Sequence, residues 1–179
     1  YYDFLLPDSL SEADLPKVEK EMKKIISQKI KFEKSVISRE EALKKYEEQN
    51  FKVELIDDLP KDEKISLKVM LGAYIEAEEN NINCPWGGSY DLDQLSKNKK
   101  RNLQQMDSLI ALANTYPDII FSLSVGNEAC VDWTDHLVSV EAVVSYVRYV
   151  KAGAKQPVTF CENYVPWLDK LEPLAHEID

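Results

Sequence analysis

A short apolar run in the second half of the chain constrains the fold more than any other feature. It covers residues 119–125, ends at Gly126 and is followed by Asn127 and Glu128. β-Branched and aromatic residues in a run of this length, with two small hydroxyl residues among them, predict a buried β-strand. A carboxylate at the carboxyl end of a buried parallel strand lies where α/β barrels carry their chemistry. Glu128 is therefore the first candidate catalytic residue.

The same order, a strand and then a helix, occurs three times after residue 66. Strands are predicted over residues 67–75, 119–125 and 157–161. Apolar residues at helical spacing follow each of them, in one helix capped by Asp91, one capped by Ser139 and one that begins at Pro166. Long loops occur only after the strands. We therefore predict an α/β fold with three consecutive β/α units of a TIM (β/α)₈ barrel, a partial barrel because closure needs eight units.

Apolar spacing also predicts which side of the first long helix faces inward. Leu92, Leu95, Met106, Leu109, Ile110 and Ala113 recur on one side of that helix. We expect all of them to pack against the sheet.

The composition of the chain changes near Ser66. Before that point lie 12 of the 19 lysines and no glycine, cysteine or tryptophan; all five glycines, three cysteines and three tryptophans follow it. A change this abrupt predicts a boundary between two domains, residues 1–66 and residues 67–179.

The first 66 residues predict a small α+β unit. Residues 1–4 form an aromatic strand-like run, and an amphipathic helix extends to about Lys29. Residues 32–37 predict a strand, and Ser38 opens a capped helix through about Gln49. Residues 51–56 alternate apolar and polar side chains, which predicts a half-buried strand.

Bulk properties narrow the range of partners. The net charge of −10 argues against binding of a nucleic-acid backbone by the chain as a whole. A mean hydropathy of −0.38 and the lack of an apolar run of about 20 residues argue against a membrane span.

The three cysteines form no C-x-x-C pair, and the two histidines have no metal-ligand spacing, so no metal or cofactor is predicted. We expect these five residues to be structural or on the surface.

Three carboxylates follow the predicted strands, at Glu76, Glu128 and Glu162. Glycosidases need two carboxyl groups across a sugar ring, about 5–5.5 Å apart when configuration is retained. Semi-apolar surroundings raise the pKa of a carboxyl group, which suits Glu128 to the role of general acid. The neighbouring Asn127 is placed to donate a hydrogen bond to a sugar hydroxyl.

Aromatic residues in the strand-end loops are candidate sugar contacts. Trp86, Trp133 and Tyr164 all occur there. Each either stacks on a pyranose face or simply covers the end of the sheet, and the pattern favours neither alternative.

The segments LKVMLGAYI, NCPWGG, YPDIIFSLSVGNEA, VDWTDH and PVTFCENYVPWLDKL resemble glycoside hydrolase family 17, in its bacterial branch. That family comprises TIM barrels that act on β-1,3-glucan. The resemblance implies that Glu128 is the general acid/base, that Asn127 supports it, and that a β-glucan oligosaccharide is the partner. In the family's barrel the nucleophile lies on strand seven. If residues 67–75 correspond to strand three of that barrel, residues 157–161 are strand five, and the resemblance assigns no nucleophile among residues 67–179. Glu162, at the end of strand five, is expected to contact substrate instead.

The first part resembles a different family. YYDFLLPDSLSEADLPKVEKEMKKII, VISREEA and FKVELIDDLPKDEKIS are similar to the second N-terminal, editing domain of bacterial threonyl-tRNA synthetase. The resemblance implies hydrolysis of mischarged tRNA at a site built from His-x-x-x-His and Cys-x-x-x-His pairs, and both pairs are missing here. Tyr1 or Tyr2 matches a residue near that site. Editing, and with it contact to tRNA, is therefore not expected of this chain.

Three hypotheses follow. Under the first, the chain is part of a retaining glycoside hydrolase or glucanosyltransferase that has the acid/base residue but does not turn substrate over. Under the second, it is a fragment of a synthetase editing module that contacts tRNA. Under the third, it is a chimeric reading frame without function. The first implies an envelope or secreted location and the second the cytoplasm. Under the first, the unpaired sheet edges at residues 67–75 and 157–161 favour self-association.

Overall fold

The computed structural model describes residues 11–31, 35–61, 64–66 and 68–179. Contacts divide the chain into two compact units, Tyr1–Glu33 and Lys34–Asp179. The strand predicted over residues 1–4 lies outside the described residues, and so do Tyr1 and Tyr2. The division predicted at Ser66 rests on composition and stays a prediction.

The described residues of the first unit form one α-helix. A 3₁₀ turn, Glu12–Asp14, leads into α1, Leu15–Ser27, with a proline in the first helical turn where its missing N–H costs nothing. The amphipathic helix predicted here is confirmed. No residue of α1 is buried. Its apolar residues at helical spacing are therefore exposed, among them Leu15, Val18, Met22, Ile25 and Ile26.

The second unit begins with two short helices. Ser38 caps α2, Arg39–Lys45, in a capping box: its hydroxyl accepts from the Glu41 N–H and its own N–H donates to the Glu41 carboxylate. An isolated antiparallel bridge joins Ile37 to Ile65. This bridge falls in the strand predicted over residues 32–37, of which residues 32–34 lie outside the described part.

Residues 51–56 are not a strand. They lie in α3, Asn50–Asp58. The alternation that predicted the strand would have buried Phe51 and Leu55, yet both are exposed, Phe51 by 64%. The helix instead half-buries Val53 and buries Ile56, three residues further on. A short apolar run fits both periods, and packing against α2 selects the helical one.

A three-stranded parallel sheet forms the centre of the second unit. Its strands are β1, Val69–Ala73, β2, Ile120–Asn127, and β3, Val158–Cys161, and they lie side by side in chain order. Thus β2 is the central strand and its neighbours are the two edges. The strand predicted to end at Gly126 extends one residue further, to Asn127. The architecture is mixed α/β.

Four helices complete the unit. The first two are α4, Leu92–Thr115, and α5, Val140–Gly153, and they are capped as predicted by the side chains of Asp91 and Ser139. The single helix predicted from Pro166 is instead two short ones, α6, Tyr164–Trp167, and α7, Glu172–Ala175. A continuous helix would carry Pro173 in its interior, where its ring clashes with the preceding turn. Across the described ranges, no helix is both long and apolar enough to cross a membrane.

The core lies between the sheet and these helices. Its fully buried members include Leu123, Val125, Met106, Val143, Val147, Val150, Val158, Leu171 and Leu174. Leu92 was predicted to face inward but is 84% exposed. The first turns of α4 bury Asn98 and Asn102 instead, because these amides bind the chain that leaves β1.

Candidate functional site

The three candidate carboxylates follow three adjacent strands. Because the strands are parallel, their carboxyl ends lie at one edge of the sheet, with Glu128 after the central strand and Glu76 and Glu162 after the outer ones. The loops of residues 80–90 and 129–138 extend from the same edge. The sequence correctly predicted this arrangement of strand ends.

The chain bends sharply where β2 ends. Gly126 has a φ of 85° and Glu128 a φ of 47°, both in the left-handed region that side chains with a Cβ rarely adopt. A Cβ at Gly126 would lie 2.7 Å from Cδ1 of Ile75. The Glu128 N–H donates to the carbonyl oxygen of Cys161 at 2.9 Å, which ties the bend to β3. This geometry turns Glu128 out of the strand.

Glu162 is half-buried and held on both oxygens. Oε2 accepts from the N–H of Cys130 and Oε1 from the N–H of Asn163, each at 2.7 Å. Burial raises the pKa of the Glu162 carboxyl group, and the negative charge of Glu128 raises it further. The two N–H donors lower it, but the resulting pKa still lies above the usual value. The structure therefore brings Glu128 close enough for its charge to act on the Glu162 carboxyl group.

Glu76 belongs to a different cluster. Its carboxylate pairs with Arg101 at 3.1 Å, and both line an open pocket of about 300 Å³ with Tyr74, Asp135 and His136. Neither Glu128 nor Glu162 lines this pocket.

The main chain of Glu76 is held by a buried amide that the sequence analysis did not identify. Asn102 accepts from the Glu76 N–H at 2.8 Å and donates to the Glu76 carbonyl at 2.9 Å. It also donates to the carboxylate of Glu78, which accepts from the hydroxyl of Tyr146 as well. The sequence does hint that these amides are buried. Asn98 and Asn102 are spaced four residues apart, in line with the buried Met106 on the same face of the helix.

The candidate aromatic contacts differ in exposure. Trp86 is 67% exposed, Tyr164 71% and Trp133 39%. An aromatic ring that covered the end of an apolar core would be largely buried. The exposure of Trp86 and Tyr164 therefore argues against a covering role for them.

A buried asparagine joins the two long loops. Asn81 donates from Nδ2 to the carbonyl oxygens of Asp132 and Thr134, at 2.8 and 2.7 Å, and its N–H donates to Gly88. Lys170 pairs with the Asp132 carboxylate at 2.6 Å. These contacts order the loops that carry Trp86 and Trp133.

His136 was expected to be structural or on the surface, and the structure places it beside the β2 bend. Its Nε2 lies 2.9 Å from the carbonyl oxygen of Asn127. Its Nδ1 lies 2.8 Å from Oδ1 of Asp135 and 3.0 Å from the hydroxyl of Thr134. The ring packs on Tyr74, with centroids 5.1 Å apart. The contacts to Thr134 and Asp135 are local, but nothing in the spacing of His136 predicts those to Asn127 and Tyr74, which lie in other segments.

The cysteines lie near these elements without forming a metal centre. Cys84 and Cys130 are buried and Cys161 is exposed. Burial, and next the charge of Glu162, raises the pKa of the Cys130 thiol to about 12. In the part of the chain that the structure describes, no group of three His, Cys, Asp or Glu side chains is arranged to hold a metal ion.

Comparison with known proteins finds two partial likenesses, and no family model matches the chain. Threonine–tRNA ligases match 37% of it: those of Halalkalibacterium halodurans, Geobacillus sp. and Staphylococcus carnosus are 55%, 45% and 43% identical over 69, 69 and 67 residues. The match spans only 10–11% of those ligases.

The second likeness is to a solved structure. The crystal structure of an endo-laminarinase from Formosa Hel1_33_131 matches 77% of this chain and 32% of its own, with a TM-score of 0.43 and 19% identity. At that score and identity the likeness does not decide the fold.

Proposed function

We propose that residues 67–179 form part of a (β/α) barrel that binds β-1,3-glucan, with Glu128 as the general acid/base. The observation that carries the proposal is the parallel sheet whose central strand ends in a left-handed bend at Glu128. In α/β barrels, this strand end is where catalytic carboxylates are found. The resemblance of the SVGNEA segment to family 17 supports the same residue.

The chemistry assigned to Glu128 is proton transfer. A general acid donates its proton to the oxygen of the glycosidic bond as the bond breaks. Asn127 stands next to it and is exposed, so its amide is available to a sugar hydroxyl. The charge of Glu162 nearby adds to the local negative potential, which favours the positive charge that develops on the sugar ring in the transition state.

Glu162 is not assigned the role of nucleophile. Both of its oxygens accept backbone N–H groups at 2.7 Å. These donors occupy both oxygens, and the resemblance to family 17 places the nucleophile on another strand. With the nucleophile unassigned, we expect this chain to bind glucan without turning it over.

The proposal is tested with laminarihexaose as the probe, by calorimetry and by intrinsic tryptophan fluorescence of the full chain. We expect Trp86→Ala and Trp133→Ala each to weaken binding by about tenfold, which corresponds to about 1.4 kcal/mol. Trp167→Phe is the matched control, since Trp167 packs edge-on against Phe160 within the unit. If the wild-type chain leaves laminarihexaose unbound, or if both loop variants bind it normally, the proposal is wrong. Hydrolysis that Glu128→Gln abolishes would contradict the expected lack of turnover.

A second candidate function is favoured by the 40–55% identity to threonine–tRNA ligases. We propose that residues 1–66 share ancestry with a segment of those enzymes, the segment that the sequence resemblance assigns to their editing domain. Under this alternative the lysine-rich first part contacts tRNA. Filter binding of threonine tRNA against an unrelated tRNA, at two salt concentrations, tests it, because phosphate contacts weaken steeply with salt. Equal retention of both tRNAs would contradict it.

The third alternative is a chimeric reading frame without function. The join between the two resemblances lies at Ser66 and the residue after it. Independent amplification of genomic DNA across these codons decides whether the join is natural. One continuous product would exclude an assembly error, and two separate loci would support it.

A further inference from the structure

We propose that His136 is a positioning residue whose imidazole clamps the peptide group between Asn127 and Glu128 and so sets the direction of the Glu128 side chain. The effect on glucan rests on the function proposed above. The clamp itself is a property of the chain and can be measured without any sugar.

Both polar atoms of this one peptide group are engaged. Its N–H, which belongs to Glu128, donates to the carbonyl oxygen of Cys161 at 2.9 Å. Its carbonyl oxygen, which belongs to Asn127, lies 2.9 Å from Nε2 of His136. Rotation of the peptide plane breaks both contacts together, so the two partners hold the plane from opposite sides.

This peptide needs such support because of its neighbours. Glu128, whose N–H belongs to this peptide, has left-handed backbone with a φ of 47°, which is unfavourable for a residue with a Cβ. Strained backbone of this kind persists only where surrounding contacts over-determine it. The contact from His136 is among those that do so here.

The geometry also places a hydrogen on Nε2 of the ring. A carbonyl oxygen only accepts hydrogen bonds, so Nε2 of His136 carries a hydrogen that it donates to Asn127. The clamp specifies this hydrogen and leaves the state of Nδ1 open, because the Asp135 carboxylate accepts and the Thr134 hydroxyl can donate. Nδ1 faces the Thr134 hydroxyl at 3.0 Å and the Asp135 carboxylate at 2.8 Å, and the ring packs against Tyr74 at the end of β1. These three contacts hold the ring in the plane that reaches Asn127.

Two variants separate the donor from the ring. His136→Phe keeps an aromatic ring against Tyr74 but has no donor. His136→Gln loses the ring but keeps an N–H at a similar reach. We expect the Phe variant to raise the hydrogen-exchange rate of the Glu128 amide by about two- to tenfold, the range of an ordinary hydrogen bond, and the Gln variant to restore the wild-type rate.

The exchange is measured by NMR on the full chain, with the Val138 amide as internal control because it donates to Ala129 at 2.8 Å and not to the clamped peptide. Long-range ¹H–¹⁵N correlation on the same sample should show the hydrogen on Nε2 of His136. The clamp is refuted if that hydrogen is on Nδ1 alone or if the Phe variant leaves Glu128 exchange unchanged. It is equally refuted if the Gln variant matches the Phe variant, or if the Val138 amide accelerates as much as that of Glu128.

Laminarihexaose binding supplies a second and separable result. We expect affinity to fall in the Phe variant and to recover in the Gln variant. Faster Glu128 exchange with unchanged affinity would remove the positioning role toward glucan. If the wild-type chain binds no laminarihexaose, the proposed function fails, and the exchange rates and tautomer still decide the clamp.

Discussion

Replacing Gly126 by alanine tests the bend on which the candidate site depends. The added Cβ would lie 2.7 Å from Cδ1 of Ile75 and 3.0 Å from Cε2 of Phe160. Real Cβ atoms essentially never approach other heavy atoms within 3.0 Å, so Ile75 must move. The φ of 85° adds strain that no movement of neighbours relieves.

The magnitude follows from these two effects. A left-handed conformation costs a residue with a Cβ about 1–2 kcal/mol. Forcing a methyl group into a packed core costs about 1–3 kcal/mol. The lower entropy of the unfolded alanine chain returns about 0.4–1 kcal/mol. We therefore expect Gly126→Ala to lower the free energy of unfolding by about 1–5 kcal/mol.

The assay is urea unfolding followed by circular dichroism, where a lower midpoint at unchanged slope reports lost stability. Gly72→Ala is the matched control in β1 of the same sheet. A Cβ at Gly72 meets only the Cβ of Ser124 at 3.9 Å, which is an ordinary contact, and its φ is not positive. Since alanine is favoured over glycine inside a strand, the control should be neutral or more stable by up to about 1 kcal/mol.

The comparison between the two variants decides the outcome. If Gly126→Ala and Gly72→Ala shift the midpoint equally, the bend is not held as the structure has it. The case for a fixed Glu128 would then lose its basis.

Two further predictions concern buried polar groups. At pH 8, thiol-reactive reagents should label the exposed Cys161 rapidly and leave Cys130 unmodified, because burial holds the pKa of Cys130 at about 12 and keeps it protonated; peptide mapping by mass spectrometry measures this. Asn102→Leu should cost about 2–5 kcal/mol in urea unfolding, because it strands the buried polar groups that the amide serves at Glu76 and Glu78.

Each of these has its own control. Asn114→Leu removes a single hydrogen bond on the exposed side of α4 and should cost no more than about 1.5 kcal/mol. If the two asparagine variants are equally stable, the Asn102 network contributes nothing. Labelling of Cys130 at the rate of Cys161 in the folded chain would contradict its burial.

The sequence predicted the helices and strands well where the pattern that specifies them lies within a few neighbouring residues. Ser38, Asp91 and Ser139 cap their helices as expected, because a cap is made by a side chain and an amide two or three residues away. The three strands of the sheet were placed within about two residues. Prediction was wrong over residues 51–56, where the apolar spacing fits both periods and packing made the choice.

The candidate site divides in the same way. Glu128 was identifiable because it follows a buried strand at a glycine, which is a local pattern. The contacts of Asn81, Asn102 and His136 were not, since each joins segments distant in sequence. The spacing of residues along the chain does not predict which residue of another segment a side chain will contact.

The sequence alone therefore determined the strand–helix order, the helix caps and the position of Glu128 at a strand end. Each of these depends on residues within one turn or one strand, and short-range sterics and hydrogen bonding suffice to specify them. Only the tertiary structure decided that α3 is a helix, that Glu162 is held by two backbone N–H groups, and that His136 reaches the Asn127 carbonyl. These depend on which surfaces pack together, and that is a property of the whole fold.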